Sequence, residues 1–416
     1  SLHLGLDGIG LMMTLLALVV GLFAVGAAWS PAPGRPGFFF LNLTAALSGA
    51  IGVFLAIDLF LFAFFWELML VPMYFLIGVW GHEGSRRAAL KFFLFTQAGG
   101  LMMILSIAAL ALLHREASGR LTFDAAELLA APPAAALQWW PMLGFFAAFA
   151  VKLPAFPLHP WLPDAHTQAP TAGSVVLAGL LLKTGAYGLM RFAVPLFPDA
   201  SAALAPAAAW LGAAGVVYGA LLAFGQTDFK RMAAYTSVSH LGFVLLGIYA
   251  GTEIALHGAL LGMVSHAFAT GGLFVLAGLL QDRLHTRELS RLGGLWDPAP
   301  RLGAAGLTLA MAALGLPGLG TFVAEFLVLA GSAAAHPGAT AAAAVGLVLS
   351  TLYALRLLES LLFGPQRPGP SRGLDLDARE TALLAGIVLL LVWLGVAPQP
   401  LIDLAAPAVA GLAGAR

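Results

Sequence analysis

Lys152, Lys183 and Arg356 are basic residues inside apolar runs long enough to cross a lipid bilayer, and Glu67 and Glu325 are acids in the same setting. An ionisable side chain at that depth costs several kcal/mol unless it is paired or hydrated, so such residues mark paths for ions or protons. His240, His257 and His266 add imidazoles in neighbouring runs, and imidazole exchanges protons near neutral pH. Glu359 lies near a run end beside Arg356, and Asp58 sits at a turn between two runs. The chemistry available to these types is proton transfer among lysine, imidazole and carboxylate. Burial and a nearby carboxylate act in opposite directions on the proton affinity of a lysine. Moving Glu67 toward or away from Lys152 therefore switches whether Lys152 keeps its proton. Driving a proton against a membrane potential takes about 2.3 kcal/mol per 100 mV, which a partner must supply.

Two stretches must position these groups by breaking their helices. In "FAVKLPAFPLHPWLPDAH", Pro154, Pro157, Pro160 and Pro163 lack the backbone N–H that continues a helix just beyond Lys152. In "ALGLPGLGTFVAEF", Pro317 with Gly315, Gly318 and Gly320 precedes Glu325. Interrupted helices survive in membranes where the freed carbonyls face protein or water, and their ends make ion sites near the midplane. Two such breaks in oppositely oriented halves predict an inverted-repeat transporter fold. The first repeat covers 38–192 and the second 205–363, five helices each; 1–37 is an N-terminal transmembrane helix and 364–416 a C-terminal helix and tail.

The surrounding chain is 416 residues, 60% hydrophobic and only 10% charged, which is the composition of an all-α polytopic membrane protein. Apolar runs mark about twelve transmembrane helices: 9–29, 38–57, 59–80, 90–113, 140–158, 174–192, 205–225, 228–250, 253–281, 301–331, 336–363 and 380–398. Threading them in alternation gathers Arg35, Arg86, Arg87, Lys91, Lys230, Arg231, Arg283, Arg287, Arg291, Arg301, Arg367, Arg372 and Arg379 on one face. Arg115, Arg120, Arg191 and Arg416 fall on the other. Thirteen against four assigns the first face to the cytoplasm and both termini to the outside. A net charge of zero argues against nucleic acid as a partner, and the absence of cysteine excludes thiolate metal sites, cysteine-ligated iron–sulfur clusters and disulfides. No redox centre is encoded. The chain begins at Ser1 with no cleavable signal, so a segment is expected upstream.

Each assignment has a structural rival. Glu67 and Lys152 could form an ion pair that only fixes helix register. Lys183 has no acid in its own run, so its rival is a lysine that snorkels, an option strained by its mid-helix position. His240 and His266 could be hydrogen-bonded interior histidines. For Arg356, near a helix end, structural or lipid contact is the favoured reading. Asp58, Asp164 and Asp228 read as turn or cap residues.

The motifs "FFWELMLVPMYFLIGVWGH", "AFAVKLPAFPLHPWLPDAHTQAPTAGSVVLAGLLLKTGAYGLMRF", "FGQTDFKRMAAYTSVSHLGFVLLGIY", "GLPGLGTFVAEF" and "GVAPQPLID" resemble the antiporter-like M subunits of bacterial respiratory complex I, counterparts of mitochondrial subunit 4. The resemblance runs from "LHLGLDGIG" almost to the end. It implies fourteen helices, the first two lying before Ser1. It implies that Glu67 and Lys152 are the regulating carboxylate–lysine pair, Lys183 the central lysine, His240 and His266 the lining of a hydrated axis, and Glu325 the exit residue. Glutamate at the last place favours the M type over the longer L type, which resembles this chain less there and carries a lateral helix.

By this resemblance the chain is one proton channel in the inner-membrane arm of NADH:quinone oxidoreductase, beside other antiporter-like subunits and lipid. NADH, FMN, iron–sulfur clusters and quinone are expected in partner subunits, with no cofactor in this chain. The alternatives are a subunit of a multi-subunit Na⁺/H⁺ antiporter or of a membrane-bound hydrogenase, which share the fold, and a structural membrane scaffold whose buried charges only hold helices together.

Overall fold

The computed structural model describes residues 3–29, 33–364 and 373–414. Ser1, Arg367, Arg372 and Arg416, used in the sequence reading, lie outside them. The described chain is all-α, with helices α1 (Gly8–Ala27), α2 (Pro36–Leu55), α3 (Leu59–Trp80), α4 (Ser85–Ser118), α5 (Ala125–Ala130), α6 (Ala135–Lys152), α7 (Trp161–Gln168) and α8 (Thr171–Leu196) in its first part. There follow α9 (Pro198–Phe224), α10 (Phe229–Ala250), α11 (Glu253–Leu284), α12 (Pro300–Leu314), α13 (Gly320–Ser332), α14 (Pro337–Leu362), α15 (Ala378–Val396) and α16 (Gln399–Gly414).

Ten of these helices are long and apolar enough to span a bilayer. Of the other two runs counted from sequence, 140–158 ends as a helix at Lys152, with α7 beyond it, and 301–331 is divided into α12 and α13. The first break falls where the prolines require it: α6 stops at Lys152 and the helix resumes at Trp161. The indole Nε1 of Trp161 donates to the Val151 carbonyl at 2.9 Å, so one group released by the break stays bonded. At the second break, Thr321 Oγ1 donates to Ala312 O at 2.6 Å, Tyr353 Oη to Ala313 O at 2.6 Å and Ser350 Oγ to Leu314 O at 3.1 Å. Such substitutes for lost helical bonds are what an apolar surrounding demands.

The helices that carry the predicted groups are also the buried ones. Thr171–Leu196 is buried except at Thr171, Arg191 and Pro195, and α10 and α11 are nearly as enclosed, whereas α1 to α4 and α15 leave half or more of their apolar spans facing outward. Small residues set the close approaches. A Cβ on Gly185 would come within 2.6 Å of Phe149 O and 2.7 Å of Leu153 N, so α8 lies against the end of α6 at Lys152. A Cβ on Gly258 would stand 2.6 Å from Val328 N, which seats α13 on α11 and brings Glu325 beside the row that continues to His266.

Candidate functional site

Lys183 sits between two stretches of π-helix, Leu177–Leu181 and Leu189–Ala193, inside α8. Wider turns of this kind displace the regular i→i−4 bonds and leave carbonyls available to side chains. Lys183 Nζ donates to one of them, Ala178 O, five residues back. It also reaches His266 Nδ1 at 2.6 Å. Lys183 and His266 are both almost fully buried. No snorkelling takes place: the ammonium end stays in the protein interior.

From His266 the polar groups continue across two helices. The His266 and His240 rings are 5.9 Å apart between centroids, edge to face. His240 Nδ1 contacts Glu325 Oε1 at 2.6 Å, both side chains being buried. His266, His240 and Glu325 also line one cavity, together with Thr321 and the glycines Gly258 and Gly262, and its free space is about that of one water molecule. His266 Nε2 and Glu325 Oε2 have no hydrogen-bond partner among the described residues. The second carboxylate oxygen lies against Gly315, where a Cβ would stand 2.8 Å away. Lys183, His266, His240 and Glu325 are thus one cluster drawn from α8, α11, α10 and α13.

Glu67 and Lys152 stand apart from it. Pro72 has no N–H to give the Leu68 carbonyl, and the α3 helix is interrupted at Met69, next to Glu67. Glu67 Oε1 is buried without a hydrogen-bond partner and lies against Gly100 of α4, whose extra methyl would overlap it. Lys152 Nζ is also buried and without a hydrogen-bond partner. It lies 4.9 Å from the Trp66 ring centroid and 5.8 Å from that of Phe92, close enough for cation–π attraction. Trp66, the residue before Glu67, therefore receives the lysine, and the carboxylate does not bond it.

Other residues named from sequence resolve individually. Arg356 donates to the Phe224 carbonyl and lies 5.4 Å from that ring, a structural contact. Asp58 and Asp228 cap helices, accepting from Leu61 N at 2.9 Å and Arg231 N at 3.0 Å. Asp164 is not a cap: its two oxygens take Lys91 Nζ at 2.6 Å and Arg231 Nη1 at 3.2 Å. Lys230, counted among the cations of the cytoplasmic face, is buried, with Nζ on Ala169 O at 2.9 Å. In the adjoining loop, burial and then the Lys230 and Arg287 cations hold the His82 imidazole down at about 4, against the pull of Asp228.

A family model for the transmembrane region of the NADH:quinone oxidoreductase/Mrp antiporter proteins matches residues 56–351. The chain belongs to this family. Among curated relatives, NADH-quinone oxidoreductase subunit M of Pseudomonas aeruginosa is 52% identical over 99% of this chain and 82% of its own. A chain of respiratory complex I from Thermus thermophilus with bound NADH superposes with a TM-score of 0.91 at 35% identity, covering 99% of this chain and 86% of that one. A chain of the Mrp complex from Dietzia sp. is alike in fold, with a TM-score of 0.86 at 22% identity over 98% and 84%.

Within this antiporter-like subunit, sequence reasoning missed three contributors. His166 is fully buried, stacked on Phe274 with ring centroids 4.3 Å apart, and neither ring nitrogen has a hydrogen-bond partner. It lies within electrostatic reach of both Lys183 and Lys230. It lies in "LPDAHTQAP", outside every apolar run counted from the sequence. Tyr353 places its hydroxyl 3.5 Å from His240 Nε2 while donating to Ala313. Trp66, read as part of an apolar run, is the platform under Lys152.

Proposed function

We propose that this chain translocates protons as a membrane-arm subunit of an NADH:quinone oxidoreductase, using Lys183, His266, His240 and Glu325 as its relay and Glu67 with Lys152 as its regulator. The observation that supports this most directly is the run of contacts from Lys183 Nζ to His266 Nδ1 at 2.6 Å and from His240 Nδ1 to Glu325 Oε1 at 2.6 Å. A charged Lys183 gives a proton to His266 Nδ1. The proton on His266 Nε2 then crosses to His240 Nε2, and the cavity shared by the two rings has room for the one water such a step uses. His240 passes its Nδ1 proton to Glu325, the exit residue in this reading. Histidine serves here because one ring nitrogen can accept while the other donates.

Glu67 and Lys152 set the timing in this reading. With Lys152 on Trp66 and away from the carboxylate, its positive charge opposes a second charge on Lys183; drawn toward Glu67, it opposes less. The energy comes from redox subunits, which hold NADH, FMN, iron–sulfur clusters and quinone. Residues 38–192 and 205–363 form two inverted repeats, each containing one interrupted helix. The face rich in Lys and Arg is cytoplasmic, with both termini outside. The family includes Mrp antiporter chains, and the closer likeness to subunit M favours the oxidoreductase.

The test is Lys183→Ala in the assembled complex reconstituted in vesicles. The relay reading expects normal assembly and NADH-driven proton uptake reduced by roughly tenfold or more. A scaffold role expects lost assembly. Normal pumping by assembled Lys183→Ala and Glu67→Ala complexes sinks the assigned roles.

A further inference from the structure

A second polar cavity, of about 420 Å³, opens at the start of α4, on the face where the sequence gathers its basic residues. Arg87, Lys91 and Arg231 line it with Asp164, Thr167 and Gln168. Three cations meet one anion there, and Asp164 is already shared between Lys91 and Arg231. Arg87 is exposed and, among the described residues, takes no part in a salt bridge. No acidic residue in the first turn of α4 offsets it, and Gly84 offers no capping side chain. Gln168 closes the cavity wall beside Gly84, with its Oε1 buried behind the surface.

Along α4 the same face changes character. Arg87 and Lys91 are four residues apart and lie in register with Leu90, Leu94, Leu101 and Leu105, all four of which are exposed. At 1.5 Å per residue, Leu90 to Leu101 covers about 17 Å, close to the depth of one leaflet of a bilayer whose hydrocarbon core is about 30 Å. A cationic cavity standing over an apolar stripe of that length is complementary to one kind of molecule.

We propose that this cavity binds the headgroup of an anionic phospholipid. The phosphate is held by Arg87, Lys91 and Arg231, and one acyl chain lies on the leucine stripe of α4. Basic pockets between transmembrane helices take phosphate because guanidinium and ammonium groups make charge-assisted hydrogen bonds to its oxygens. Neither the proton relay nor the contacts that close the two helix breaks uses these groups.

The experiment is native mass spectrometry of the solubilised complex, containing this chain with its partner subunits, after exchange into phosphatidylcholine doped with phosphatidylglycerol. Wild type is expected to retain phosphatidylglycerol over phosphatidylcholine, and Arg87→Gln combined with Arg231→Gln to lower that retention at least about threefold. Arg87→Gln alone, at an exposed residue outside any ion pair, should give a smaller loss with unchanged assembly. The soluble headgroup glycerophosphoglycerol and inorganic phosphate should not displace the lipid at millimolar concentration. Equal retention of both lipids by wild type, undiminished retention by the double variant, or displacement by inorganic phosphate would each overturn the proposal. The first of these is also the result if a neighbouring subunit fills the cavity.

Discussion

At the first break, Lys152 ends α6 with its ammonium over Trp66 and Phe92 and no hydrogen-bond acceptor, whereas beyond the second break Glu325 is held by His240 at 2.6 Å. The backbone is treated differently too. One indole serves the carbonyls around Val151, while three hydroxyls serve Ala312, Ala313 and Leu314. A charge resting only on aromatic faces is attracted by about 0.5–2 kcal/mol and has no directional bond to break before it moves. A carboxylate in a short hydrogen bond is fixed in place. The comparison teaches that breaking a helix supplies a site, and the side chains around the break decide whether the charge there is mobile or anchored.

The strongest way to break this contrast is to remove both charges in turn. Glu325→Ala leaves His240 Nδ1 buried without its partner and should destabilise the chain by about 2–3 kcal/mol. Lys152→Met removes an ammonium that lacks an acceptor and keeps the apolar stem, so stability should stay level or rise. Thermal unfolding of the two purified variants measures both. A Lys152→Met loss as large as that of Glu325→Ala would mean that Lys152 is anchored after all.

Gly100→Ala probes the mobile side from the opposite direction. The new methyl occupies the place of Glu67 Oε1, so the carboxylate must turn away, toward the apolar groove it shares with Phe60, Phe64 and Ile107 or toward Lys152. Repacking should cost about 1–2 kcal/mol. If Glu67 regulates through its distance from Lys152, proton uptake by the assembled complex changes by more than the small loss of stability explains. Unaltered uptake would confine Gly100 to a packing role.

The breaks themselves were legible because proline and glycine act locally: four prolines after Lys152 and the Pro317 cluster before Glu325 have no helical alternative. Glu67, Lys152, Lys183 and Glu325 stood out because a charge in an apolar run is improbable without a use. The segment around Lys183 gave no such signal. "SVVLAGLLLKTGAYGLMRF" contains no proline, yet it holds two π-helical stretches, and it lies against α1 at Val20 and against α6 at Phe149. Neither could the sequence say that Trp66 would take Lys152, since a tryptophan among phenylalanines looks like core until the helices are assembled. His166 was hidden for the opposite reason: it lies among prolines and polar residues outside the apolar runs, and only the assembled helices bury it.

The smallest effects should come from a matched pair at the two breaks. Tyr353→Phe removes the donor to Ala313 O and the hydroxyl 3.5 Å from His240, leaving the ring in place. Trp161→Phe removes the donor to Val151 O. Each orphans one carbonyl, a loss of about 1 kcal/mol, and Trp161→Phe also leaves a small void. On stability alone Trp161→Phe is therefore the worse of the two. On proton uptake the order should reverse if the proposed relay holds, because Tyr353 touches it through His240 whereas Trp161 supports only the end of α6. If uptake instead follows stability in both variants, the hydroxyl at the second break serves the backbone alone, and the anchored character of that half belongs to Glu325 and His240 without help from Tyr353.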